Sequence, residues 1–148
     1  MTPIEIVQDG DEPLAYFVRA GWMPSKTTFL TPDSFGQQMG MVVYGEGQEI
    51  QPHLHLPVVR QVHGTTECIV VRKGHCVVDI YDRHKKLLSS HELGTGDIVL
   101  LLGGGHGFRM TEDTVLFEVK QGPYSGVAEK ERFDRPTHPV WDRPSRPA

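Results

Sequence analysis

Apolar stretches in this chain are short and repeatedly interrupted. The run from Ile98 to Leu102 sets their limit at five residues, far below the ~18–20 that a membrane-crossing helix needs. Sixteen glycines and eleven prolines in 148 residues separate these runs. Such punctuation favours strands joined by turns over helices. The runs themselves are rich in Val, Ile, Leu, Phe and Tyr, which fit a pleated, half-buried surface. Strands are expected at 37–44, 48–55, 67–72, 75–82, 97–102, 106–110 and 114–120, with shorter ones at 4–7, 14–19 and 27–30. No window between Gln37 and Gly122 supports an amphipathic helix of useful length. Many short strands at near-regular spacing suggest an all-β sandwich or small barrel.

One domain in three parts is expected. Residues 1–35 would be N-terminal strands packing on a barrel as an extra sheet or arm, and residues 36–124 the barrel itself. Residues 125–148 would hold a short helical turn at 127–133 and an irregular tail. Prolines at 136, 139, 144 and 147 exclude regular structure in that tail. It reads as a disordered end, or as an arm laid on a partner subunit and anchored by Trp141.

A formal net charge of −4 argues against a nucleic-acid binder, which needs a basic face. Arg83-His84-Lys85-Lys86 is too short for a membrane-surface segment and sits in an expected turn. The N-terminus has neither the basic head nor the apolar stretch of a signal peptide, so a cytoplasmic location is expected. Two cysteines fit a reducing compartment. A hairpin turn at Lys73-Gly74 would set Cys68 opposite Asp79 and Cys76 opposite Val71, so no disulfide between them is expected.

The eight histidines carry the chemistry. His53-Leu54-His55 lies in an expected strand, where side chains two apart share a face and two imidazoles can grip one ion. Glu67 opens the apolar strand that Gly74 closes. His106 follows the strand 97–102 and the triplet Gly103-Gly104-Gly105, where glycine permits a tight turn or the close approach of a ligand. His75, His84, His91 and His138 are read as structural or exposed. Glu118 and Lys120 share a face of the last strand, either as an outer ion pair or as a proton carrier and an anchor for an anionic group. Tyr44 and Tyr81 line a pocket or pack at sheet edges, and Asp97 caps a turn.

These residues resemble the motifs of the cupin superfamily, G-x5-H-x-H-x3,4-E-x6-G and G-x5-P-x-G-x2-H-x3-N. Glu67-x6-Gly74 matches the end of the first, and Gly96-Asp97 through Gly104 to His106 most of the second. Leu102 stands at the usual proline, one residue is missing before His106, and Met110 stands at the asparagine. Eleven residues separate His55 from Glu67. Two registers follow. Either His53 and His55 form the H-x-H pair and Leu56–Thr66 is an inserted loop, or Gln61-Val62-His63 takes its place. The first supplies two imidazoles and is preferred; Arg60, Gln61 and His63 would then hang at the mouth. The segment Leu116 to Tyr124, ending in Gly122-Pro123-Tyr124, is similar to that of WbuC-type cupin-fold metalloproteins, and the resemblance covers roughly residues 40–125.

The resemblance implies an all-β, single-domain, jelly-roll-like barrel holding one divalent metal ion (Zn, Fe, Mn or Ni) on His53, His55, Glu67 and His106. It also implies a small-molecule ligand and a homodimer; open sheet edges, which seek partners, favour the same assembly. The expected activity is that of a metal-dependent isomerase or epimerase on a small carbohydrate-like or carbonyl substrate, or less favourably a dioxygenase. His63, Glu118 and Lys120 are the candidate catalytic residues, and His55 or His63 would be the base of a metal-free isomerase. The competing expectations are a non-catalytic sugar-binding module and a purely structural barrel with incidental histidines. One fold hosts many functions, so the resemblance alone does not choose.

Overall fold

The structure is a computed structural model and describes residues 2–135. Ten strands form it: β1 (Ile4–Asp9), β2 (Glu12–Val18), β3 (Thr28–Phe29), β4 (Gly40–Met41), β5 (Glu67–Lys73), β6 (His75–Tyr81), β7 (Leu87–Gly94), β8 (Ile98–Leu101), β9 (Gly105–Met110) and β10 (Val115–Lys120). A single 3-10 turn at Gly126–Glu129 stands where the helical turn over 127–133 is expected. The main sheet has the order β1-β2-β8-β5-β10, and a second has the order β7-β6-β9. All pairings are antiparallel. β3 and β4 form a separate two-stranded ribbon.

The two larger sheets face each other across one core. Phe17 of β2, Ile69 and Val71 of β5 and Val99 of β8 meet Cys76, Val78 and Ile80 of β6 and Leu93 of β7. Each fully buried side chain of this kind contributes roughly 1.5–3 kcal/mol. Leu14 to Val18 are all buried, so β2 is covered on both faces. That explains why its sequence is continuously apolar rather than alternating.

Among the described residues the strands do not close into the expected barrel; they make an open sandwich. The N-terminal strands differ from the expected extra sheet or arm as well, because β2 pairs with β8 and enters the main sheet. The expected hairpin at Lys73-Gly74 is also absent. Both edges of β5 are taken, by β8 and β10, and β6 belongs to the opposite sheet. Gly74, at φ +87°, lets the chain cross between the sheets, and a Cβ there would run into the Asp113 carbonyl. Cys68 and Cys76 are free thiols. The expected strand at 48–55 is not a strand, and of 37–44 only Gly40–Met41 pairs. β7 goes beyond the sequence expectation.

One end of the sandwich is clamped by charge. Arg19 pairs with Glu5 at 2.7 Å and Asp97 at 3.3 Å, and donates to the Glu92 carbonyl at 2.5 Å. Asp97 accepts from the backbone N–H of Ala20 at 2.8 Å and of Gly94 at 3.0 Å, the capping role its turn suggests. At the other end β5 and β9 begin and β6 and β10 stop, so Glu67, His106, Tyr81 and Lys120 converge there. The tail beyond residue 135, with His138 and Trp141, lies outside the described residues. No helix among the described residues is long and apolar enough to cross a membrane.

Candidate functional site

The convergent end opens into a cavity of about 860 Å³. Glu67 is the first residue of β5 and faces inward, as Ile69 and Val71 do two and four residues later. It is held in place by its neighbour. Thr66 donates its backbone N–H to Gln121 at 2.7 Å and its hydroxyl to Gln37 at 2.5 Å, while the Gln121 amide donates back to Thr66 at 2.9 Å. This clasp fixes the start of β5 against the end of β10, and therefore Glu67 against Lys120.

His106 lies directly across from Ile80, so it points to the core side of the small sheet, towards Glu67. Its Nε2 is 3.1 Å from Glu67 Oε2, and Lys120 Nζ is 3.7 Å from Glu67 Oε1. The hydrogen bond from His106 holds the Glu67 carboxyl at about 2, against burial that works the other way; the charges of His106, Lys120 and Lys130 add to the lowering. Lys120 also pairs with Glu118 at 2.7 Å, which raises the ammonium's pKa. Glu118 and Lys120 thus form an ion pair whose lysine lines the cavity.

His106 sits between Gly105 and Gly107. A Cβ at Gly105 would lie 3.0 Å from the Phe133 ring, and one at Gly107 would lie 3.5 Å from the Arg135 guanidinium. The bare backbone lets residues 131–135 lie against β9 and wall the cavity. Phe133 meets Tyr81 edge-on at 5.1 Å between ring centres. Arg135 Nε lies 2.9 Å from Asp79, a buried carboxylate that also accepts from the Ser90 hydroxyl at 2.6 Å. Lys85 bridges to Glu131 at 2.5 Å. Sequence reasoning missed this wall, with Lys130, Arg132 and Arg135. Its only trace there was the glycine on each side of His106.

The expected ligand set is not gathered. Glu67 and His106 meet, but His53 and His55 lie on the exposed, irregular segment 42–65, with rings 5.1 Å apart and His53 Nδ1 2.8 Å from the Gln51 carbonyl. Among the described residues no three His, Cys, Asp or Glu side chains stand close enough to hold a metal ion. The four donors do not fit a single centre in this chain. The alternative register is also separate: Gln61 and His63 line a second cavity of about 320 Å³ that shares Gln121 with the first. Of the remaining histidines, His75 pairs with Glu112 at 2.5 Å, His84 is exposed, and His91 stacks on Phe17 at 4.0 Å. Tyr81 lines the cavity, whereas Tyr44 is exposed.

The arrangement is a carboxylate–imidazole pair beside an ammonium, at the floor of a cavity whose wall carries both basic (Lys130, Arg132) and acidic (Glu129, Glu131) side chains. It can move a proton and hold an anion. No protein-family model, curated protein or solved structure matches the chain.

Proposed function

We propose that the chain is a cupin-like protein acting by proton transfer on a small carbohydrate-like or carbonyl substrate, as an isomerase or epimerase. The observation that carries this reading is the 3.1 Å contact between His106 and Glu67 beside Lys120 in the large cavity. Glu67 stays ionised at neutral pH and orients the imidazole. With Nε2 turned to Glu67, Nδ1 is the nitrogen that takes a proton from the carbon next to the substrate carbonyl. The electron pair left on that carbon moves onto the carbonyl oxygen as an enediolate. Lys120 stabilises that oxygen. For isomerisation the neighbouring hydroxyl passes its proton to the enediolate oxygen as it becomes the new carbonyl, while His106 returns its proton to the neighbouring carbon; for epimerisation the enediolate must first turn over in the cavity so that His106 meets its other face. Lys130 and Arg132, which also line the cavity, favour substrates carrying an anionic group.

The test is solvent-deuterium incorporation next to the carbonyl, across a panel of aldoses, ketoses and their phosphates. Incorporation by the wild type, with at least a 100-fold loss in His106→Gln, is the expected result. Equal rates in both proteins would refute the assignment. Binding without incorporation would leave the non-catalytic sugar-binding module.

A second reading keeps one divalent ion (Zn, Fe, Mn or Ni) on His53, His55, Glu67 and His106, which would require the segment 42–65 to bring its two imidazoles to the Glu67–His106 pair. The adjacency of the two exposed imidazoles on one segment favours it. Elemental analysis of the wild type beside His53→Ala and His106→Ala decides it. Stoichiometric metal lost in both variants supports this reading, and no metal after reconstitution ends it.

A further inference from the structure

A cluster of side chains away from the large cavity is ordered as a reactive site is. It lies on the open side of the sandwich, where the edge strands β1 and β7 face each other. Ser89 and His91 are two apart on β7 and share its inward face, with Ser89 Oγ 3.0 Å from His91 Nε2. Across the gap, Glu5 of β1 sets Oε2 3.4 Å from His91 Nδ1. Arg19 takes the other oxygen, Oε1, with Nη2 at 2.7 Å and Nε at 3.2 Å. The carboxylate is therefore turned so that Oε2 is left for the imidazole. Phe17, stacked on His91 at 4.0 Å, fixes the plane of the ring.

The tautomer follows from these neighbours. An ionised carboxylate only accepts hydrogen bonds, so Nδ1 carries the proton. Nε2 is then the basic nitrogen and accepts from the Ser89 hydroxyl. Burial lowers the His91 pKa against the pull of Glu5, which keeps the ring neutral and able to act as a base. The hydrogen bond from Arg19 holds the Glu5 carboxyl below its ordinary value, so its charge is in place. The backbone supplies one more group. Among the described residues β7 is the outer strand of the small sheet, and the Glu92 carbonyl leaves it to accept from Arg19 at 2.5 Å. Pairing alternates along a strand, so the N–H of Ser90, two residues earlier, points from the same open edge. A backbone donor just after a reactive hydroxyl stands where acyl transfer develops negative charge.

We propose that Ser89, His91 and Glu5 form a second reactive site that cleaves small carboxylic esters by acyl transfer, with Ser89 as nucleophile, His91 as base and Glu5 as the positioning residue. Ser89 Oγ bonds to the ester carbonyl carbon while its proton passes to His91 Nε2, and the carbonyl π electrons move onto the oxygen beside the Ser90 N–H. That electron pair re-forms the carbonyl and expels the alcohol, which leaves with the proton from Nε2. Water then attacks the acyl-serine with Nε2 again as base, releasing the carboxylic acid and the free hydroxyl. Ser89 is half-buried at the edge of the sandwich, so the substrates are esters small enough to reach it without parting the sheets.

A fluorophosphonate, from which a reactive serine displaces fluoride, tests the nucleophile, and mass spectrometry of the protein and its peptides reads the outcome. The expected result is one label per wild-type chain, on Ser89, none in Ser89→Ala, and labelling slowed at least ~100-fold in His91→Gln. Ser89→Ala removes a single oxygen, so its result stands apart from any folding defect that His91→Gln brings. Turnover is followed with p-nitrophenyl acetate. Glu5→Gln should lower kcat at least ~10-fold with KM unchanged, and Glu5→Asp should recover part of the loss. An unlabelled wild type overturns the proposal. So does label that persists in Ser89→Ala, or equal labelling of wild type unfolded in urea. None of these readouts involves His106 or deuterium incorporation, so failure here is distinct from failure of the proton-transfer reading.

Discussion

Replacing Glu67 by Gln removes the charge on which the cavity is built, and the size of the effect follows from the structure. The His106 hydrogen bond and the nearby cationic charges hold the carboxyl at about 2, against an ordinary 4.5. At about 1.4 kcal/mol per unit, the ceiling on the stabilisation is about 3 kcal/mol. His106 keeps 33% of its side chain open to water and Lys120 keeps 25%, so solvent screens part of it. About 1.5 kcal/mol is the figure to expect at neutral pH. The sign is fixed by the direction of the shift. A carboxyl held below its unfolded value stabilises the fold above the unfolded value, and that contribution fades as pH falls from about 4.5 towards 2. More than half should be gone by about pH 3. Glu67→Gln does not titrate, so the wild-type and variant stabilities should differ by about 1.5 kcal/mol at pH 6 and converge as the solution is acidified. Urea unfolding at several pH values measures both curves. A gap of constant size from pH 6 to pH 3, or no gap at pH 6, would refute the reasoning.

Two further outcomes follow from other parts of the molecule. Burial against Phe17 lowers the His91 pKa, with Glu5 opposing the shift, so the unfolded chain takes up that proton first. Stability should fall as pH drops through the ordinary imidazole range near ~6.5, and His91→Phe should flatten that slope in calorimetric scans between pH 5 and 7. Gly104 has φ +64°, and a Cβ there would meet the Tyr81 carbonyl. Gly104→Ala should cost about 2–4 kcal/mol by chemical denaturation, and a loss below about 0.5 kcal/mol would contradict the described backbone.

Where a strand's apolar pattern reflects pairing within the chain, the sequence was legible. β5 and β8 fall where continuous Val, Ile and Leu runs place them, because both faces or one deep face must leave water. β7 was hidden because its inward positions are Leu87, Ser89, His91 and Leu93, and the two polar ones break the apolar alternation. They are satisfied locally: the His91 ring lies 3.0 Å from the Ser89 hydroxyl and stacks on Phe17. Residues 48–55 failed in the opposite way. Their alternation is real, but within the described chain no neighbouring strand accepts their backbone groups.

The candidate site was legible in the same uneven way. Glu67 and His106 stood out because one opens an apolar strand and the other follows three glycines, at positions that resemble the cupin motifs. Their partnership with each other did not, since it depends on which ends of two sheets meet. The order of the sheets is a long-range property that local pattern does not carry.

The Arg135–Asp79 contact gives residues 131–135 a structural task. A stretch rich in charge and close to a run of prolines looks expendable, yet it supplies the counter-charge to a carboxylate sealed in the small sheet at 2% exposure. A chain cut short at residue 130 would leave that carboxylate with the Ser90 hydroxyl as its remaining described partner, and a buried charge stripped of its ion partner destabilises a fold by about 3–5 kcal/mol. Residues 131–135 thus behave as a rivet: they must reach the small sheet before its buried carboxylate has this ion partner, and the same rivet closes the wall of the cavity.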